Sequence, residues 1–109
     1  MHLNGYKIMW LYVFFDLPTN TKKERKAAQK FRKDLLRDGF TMAQYSVYKR
    51  YSPSPQKADV HERRVKLFLP RHGHVSILRI TDKQFGKIQN FWGTRSLESE
   101  GSPAQLQFF

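Results

Sequence analysis

The stretch MWLYVFFDLPTNTKKERKAAQKF, residues 9–31, holds the passage from strand to helix on which the fold depends. Ile8 to Phe15 is an unbroken apolar run of aromatic and branched side chains, which predicts a strand buried on both faces. The run ends abruptly on a carboxylate, Asp16. LPTNT then interrupts it: Pro18 cannot donate to a β-ladder, and Thr19, Asn20 and Thr21 are all helix-capping types. Thr21 and Glu24, three residues apart, have the pattern of a capping box. A helix is therefore expected to about Asp38. Its inner stripe is Ala27, Ala28, Phe31 and Leu35, and Gly39 supplies the left-handed stop.

Outward from this unit the pattern repeats. FTMAQYSVYKRY (40–51) is rich in aromatic and β-branched residues, and its twelve residues suit a bent strand or two short ones. After the loop SPSPQ, a second helix is expected over 57–69, ended by Pro70. VSILRIT (75–81) reads as a further strand, and Thr81 caps a short helical turn carrying Phe85 and Ile88. The order strand, helix, one or two strands, helix, strand predicts an α+β, ferredoxin-like two-layer sandwich (βαββαβ). Residues 1–92 form this domain. Residues 93–109 read as a linker followed by AQLQFF, an extra C-terminal strand or tail.

Composition narrows the function. The 109 residues carry 20 Lys and Arg against 9 Asp and Glu, a formal net charge of +11, so the natural partner is an anion and above all nucleic acid. The absence of cysteine excludes disulfides and thiolate zinc sites, and fits a reducing cytoplasm. The run at 8–15 is far too short to span a bilayer, it lacks a cleavage site for secretion, and no membrane partner is expected. Aromatic residues make up 15% of so small a chain, enough that part of the apolar surface suits burial against a second copy.

No glycine-rich phosphate loop and no nucleophile–histidine constellation can be placed. His61 falls near the apolar stripe of the second helix, and His72 and His74 flank Gly73 in a turn; packing or hydrogen bonding is the expected role of all three. Asp16 stands apart. A carboxylate closing a buried strand must be hydrogen-bonded, paired or bound to metal. It can cap the PTNT turn, and on residues alone that reading leads, because one carboxylate is a poor metal site. A two-fold dimer would remove the objection by bringing two copies of Asp16 together, and magnesium accepts such a site because it retains waters and takes one or two carboxylates. Both readings stay open at this point. Lys22, Lys26, Lys30, Lys33 and Arg37 follow helical spacing away from Phe31 and Leu35. With Lys49, Arg50 and Arg71 they are the candidate phosphate contacts.

Taken in order, YVFFDLPTNTKKERKAAQKFRKDLLRDGFTMAQYSVYKR and HVSILRITDKQFGKI resemble the second of the two universal CRISPR-associated proteins, more narrowly the form that accompanies single-effector (type II) systems. The resemblance covers about residues 8 to 90. It implies a ferredoxin-like symmetric homodimer acting in spacer acquisition, where it bridges two dimers of the integrase subunit and helps hold the incoming protospacer duplex DNA. It also implies a magnesium-dependent (Mg2+) endonuclease acting on single-stranded RNA or duplex DNA. In that description the Asp ending the first strand binds the metal with its dimer mate and is catalytic, and it corresponds here to Asp16. A C-terminal strand that extends the partner chain's sheet is a further implication. Two other readings compete: a non-catalytic RNA-binding module and a stand-alone ribonuclease toxin, both on the same fold. DGFTMAQY keeps only the Gly-Phe pair of the RNA-recognition signature.

Overall fold

A computed structural model describes residues 7–93. The expected linker beyond Gly93 and the tail strand AQLQFF lie outside the described residues.

The capping box forms as the spacing requires. Thr21 N–H donates to Glu24 Oε1 at 2.8 Å, Glu24 N–H donates to Thr21 Oγ1 at 3.1 Å, and α1 runs Lys22–Arg37. Asp38 caps its C-terminus and Gly39, at φ +91°, turns the chain out of the helix. β1 spans Met9–Asp16 before it. The aromatic stretch at 40–51 divides into two short strands, β2 (Thr41–Gln44) and β3 (Val47–Ser52), which pair antiparallel around a turn at Tyr45 and Ser46. α2 spans Pro55–Leu67, with Ser54 as its cap and Pro55 in the first turn, where a missing N–H is harmless. β4 is His74–Thr81, and Thr81 and Gln84 form a second capping box that starts the short α3, Asp82–Phe85.

The four strands form one antiparallel sheet in the order β2-β3-β1-β4. This is the α+β arrangement that a ferredoxin-like βαββαβ topology requires. β1 sits at its centre between β3 and β4. Leu11, Val13 and Phe15 point from β1 into the helical layer and are buried with Phe31, Leu35, Phe40, Tyr48, Ala58 and Val65. The Phe15 and Phe31 rings meet edge to face, 5.1 Å between centroids, which locks α1 over the end of β1.

β1 is not buried on both faces in the single chain. The two crossovers through α1 and α2 place both helices on one side of the sheet, so the alternate residues Trp10, Tyr12, Phe14 and Asp16 emerge on the other. Among the described residues the start of the strand is the part most closely covered there. Trp10 stacks on Phe85 at 3.7 Å and its Nε1–H donates to Asp82 Oδ1 at 2.8 Å, which folds α3 back over the sheet. Beyond that plug the segment after α3 brings Ile88, Asn90 and Trp92 to a cleft shared with Tyr12 and Phe14, while Phe14, Tyr51 and Leu78 stay exposed.

Candidate functional site: Asp16 and the open sheet face

Asp16 closes β1 on the open face, directly opposite His74, the first residue of β4. Both side chains are exposed. With Phe14, Ser46, Val47 and Ser76 they line a shallow cleft of about 340 Å³. Three backbone features fix this corner. Phe15 N–H donates to Ser46 O at 3.1 Å, tying the β2–β3 turn to β1. Ser46 itself sits at φ +63°, a left-handed conformation uncommon outside glycine. Gly73, at φ +99°, lies so close that a Cβ there would come within 2.8 Å of Asp16 O.

Among the described residues the Asp16 carboxylate has no hydrogen-bond or ion-pair partner. The turn it precedes is capped instead by Thr21 and Glu24, with the Arg25 guanidinium on the carbonyls of Thr19 and Asn20 at 3.0 and 3.3 Å. Capping is thus not what occupies Asp16. Asp16 offers a magnesium ion one exposed carboxylate beside open solvent, and among the described residues no three or more His, Cys, Asp or Glu cluster to add further ligands.

The fold distributes the basic candidates unevenly. Lys22, Lys26 and Lys33 are exposed on the outer face of α1 and have no partner among the described residues. Lys30 and Arg37, on the same stripe, share Asp34 at 2.8 and 3.5 Å. Because α1 covers the core side of the sheet, this stripe and the Asp16 side chain lie on opposite surfaces of the domain. Arg71 is exposed in the α2–β4 loop, where it joins Lys23 and His72 around a cavity of about 490 Å³ floored by Leu17, Pro18, Ala27 and Ala28. Lys49 lies on the open face, its Nζ 5.9 Å above the Trp10 ring and 5.3 Å above Phe85. Arg50 points the other way. It faces the helical layer and donates to the Asp38 carbonyl.

His61 is buried and hydrogen-bonded, as its place on α2 predicts, with Nδ1 2.9 Å from Asp38 Oδ2. Arg32 and Tyr45 are not visible as a unit in the sequence. Arg32 Nη2 donates to Tyr45 OH at 3.2 Å and its guanidinium packs over the Tyr45 and Phe15 rings, so an exposed aromatic is held at the rim of the Asp16 cleft. Nothing in the sequence alone distinguishes His74 from the other histidines. The signal that identifies it is topological: once β1 and β4 are antiparallel neighbours, the residue that opens β4 must face the one that closes β1.

Fold and charge together define a small, strongly basic α+β domain with one antiparallel sheet, whose face away from the helices carries exposed apolar residues and ends at Asp16. The family model described as CRISPR associated protein Cas2 matches residues 9–88, and the chain belongs to that family. It is 49% identical over 107 residues to the CRISPR-associated endoribonuclease Cas2 of Flavobacterium psychrophilum, covering 98% of this chain and 93% of the relative. The protein of the same name from Parvibaculum lavamentivorans is 52% identical over 101 residues, 93% of this chain and 100% of that one. That of Streptococcus mutans is 37% identical over 100 residues, with 92% of each chain covered.

Proposed function

We propose that this CRISPR-associated chain is a cytoplasmic spacer-acquisition protein. In this reading it works as a symmetric homodimer that holds duplex DNA, bridges integrase dimers and carries a magnesium-dependent endonuclease site built on two copies of Asp16. The observation that carries the reading is the free Asp16 carboxylate at the edge of an open apolar face, in a domain of net charge +11. The names of the relatives support nuclease activity, and single-stranded RNA or duplex DNA is the substrate class.

Each part of the chain has a definite task in this reading. Tyr12, Phe14 and Leu78 supply apolar surface through which two sheets pack face to face. That packing sets the two Asp16 carboxylates near the symmetry axis, where their mutual repulsion favours a bound cation. Magnesium, when bound, supplies Lewis-acid polarisation and charge neutralisation at the phosphate. Lys22, Lys26 and Lys33 hold a nucleic-acid backbone by charge on the outer helix surface, without reading bases.

The decisive comparison is cleavage and duplex binding by wild type and Asp16→Ala, each with magnesium and with EDTA. Loss of cleavage with DNA binding retained is expected. Cleavage that survives in the variant would remove the nuclease assignment and leave the scaffold role.

A second reading draws on one specific feature: the open face displays Tyr12, Phe14 and Tyr51 rings beside Lys49, a surface on which unpaired bases can stack. A non-catalytic RNA-binding module would bind RNA as a monomer and be indifferent to Asp16→Ala.

A further inference from the structure

We propose that His74 is a second donor at the Asp16 position, which makes it a mixed oxygen–nitrogen site favouring first-row transition ions, manganese among them, over magnesium. The inference rests on the Asp16 metal reading above and adds to it a ligand and a metal preference.

Geometry comes first. Asp16 and His74 are the terminal cross-strand pair of β1 and β4, and both belong to the alternation that faces away from the helices. Directly opposed residues on one face of an antiparallel pair hold their Cβ atoms about 4.5–5.5 Å apart. A carboxylate oxygen and an imidazole nitrogen on such neighbours can share one ion with no change of backbone. Both donors stand on paired strands, and Gly73 approaches Asp16 O closely beside them, so the backbone that carries the pair is fixed.

Availability comes second. Of the described histidines, His61 is buried against Asp38, whereas His74 is exposed. Its polar contact is one long approach, Nε2 to Ser76 Oγ at 3.4 Å, beyond the usual range of a firm hydrogen bond. Among the described residues Asp16 is equally uncommitted. The cleft around the pair has the hydroxyls of Ser46 and Ser76 on its walls and room for a hydrated ion.

Donor chemistry gives the preference. Magnesium selects oxygen ligands and parts reluctantly with water, whereas imidazole nitrogen raises affinity for transition ions along the Irving–Williams series. Two donors per chain leave the remaining positions to water and substrate phosphate.

The test is manganese binding to the full chain, followed by electron paramagnetic resonance and by competition with magnesium. Wild type, His74→Ala, His74→Gln and Asp16→Asn are compared at matched circular dichroism. Wild type is expected to show nitrogen coupling to the bound ion and a preference for manganese over magnesium. Both features should vanish in His74→Ala and His74→Gln. If wild type shows no nitrogen coupling while Asp16→Asn still abolishes binding, His74 is no ligand and the Asp16 reading survives alone. If Asp16→Asn binds manganese as wild type does, both readings fall.

Discussion

The carboxylate of Asp38 joins α1 to α2: Oδ2 lies 2.9 Å from Nδ1 of the buried His61, and Oδ1 accepts from Arg64 Nη1 at 3.0 Å. The backbone carbonyl of the same residue accepts from Arg50 on β3. One capping residue thus ties both helices and the sheet together. Its loss takes the carboxylate from the buried His61, leaving Arg50 Nη1 at 3.4 Å as a contact of Nδ1, and from the more exposed Arg64. Asp38→Ala is expected to cost roughly 2–3 kcal/mol, the scale of hydrogen bonds to a charged partner. Asp16→Ala, at an exposed acid with no partner among the described residues, should stay within about 0.5 kcal/mol. Urea denaturation of the two variants separates a structural acid from a functional one.

Glycine substitutions should split in the same way. Gly73→Ala forces a side chain into φ +99° and against Asp16 O, with a cost of about 2 kcal/mol or more. Gly86 has an ordinary helical φ of −64°, and its nearest neighbour to an added Cβ is 3.6 Å away. Gly86→Ala should be neutral or stabilise by up to about 1 kcal/mol. Thermal melting of the pair is sufficient to show the difference.

Alkaline pH should weaken the fold through Tyr12. Desolvation on the sheet raises its phenol pKa above the ordinary 10.0. Above pH 10 the unfolded chain loses that proton while the native chain retains it. The unfolded state then binds fewer protons, and stability falls as pH rises. Stability measured from pH 8 to 11 should decline more steeply in wild type than in Tyr12→Phe. Parallel curves would mean that Tyr12 is as solvated as a free tyrosine.

Charges placed on the open face should separate a dimer without unfolding the chain. Phe14→Glu combined with Leu78→Glu is expected to sediment as a monomer with an unchanged circular dichroism spectrum, since both residues are exposed in the single chain. If the double variant sediments like wild type, that face is not the interface.

The α1 stripe should appear in salt dependence. Each phosphate contact on duplex DNA contributes about 0.9 to the slope of log affinity against log salt. Replacing Lys22, Lys26 and Lys33 together by alanine should flatten the slope in proportion to the number of phosphates those lysines neutralise. An unaltered slope would place the DNA on another surface.

Where physics is local, the sequence was sufficient. The Thr21–Glu24 box, the Gly39 stop and the Thr81 turn each depend on a few neighbouring residues and form as read, and of the bend or two short strands open to 40–51 the chain takes two strands. The two-layer order followed from the alternation of strands and helices. Arg50 shows where this kind of reading stops. Its alternation places it with Tyr48 on the core side, yet a basic residue beside a loop also suits a phosphate contact. Its engagement with Asp38, twelve residues earlier, was settled only when α1 packed on β3. β1 is a parallel case. Its uniform apolarity implies two covered faces, whereas the crossovers put both helices on one side and leave Tyr12 and Phe14 facing outward.

By itself the sequence determined a basic α+β domain with Asp16 at the end of its central strand, because capping, hydrophobic period and net charge are carried by short segments and by sums over the chain. Tertiary structure alone decided that Asp16 has no partner among the described residues, that His74 stands across from it and that the lysine stripe lies on the opposite surface. Those relations depend on strand register and on the side of the sheet the helices take, and both are set by contacts between residues far apart in the chain.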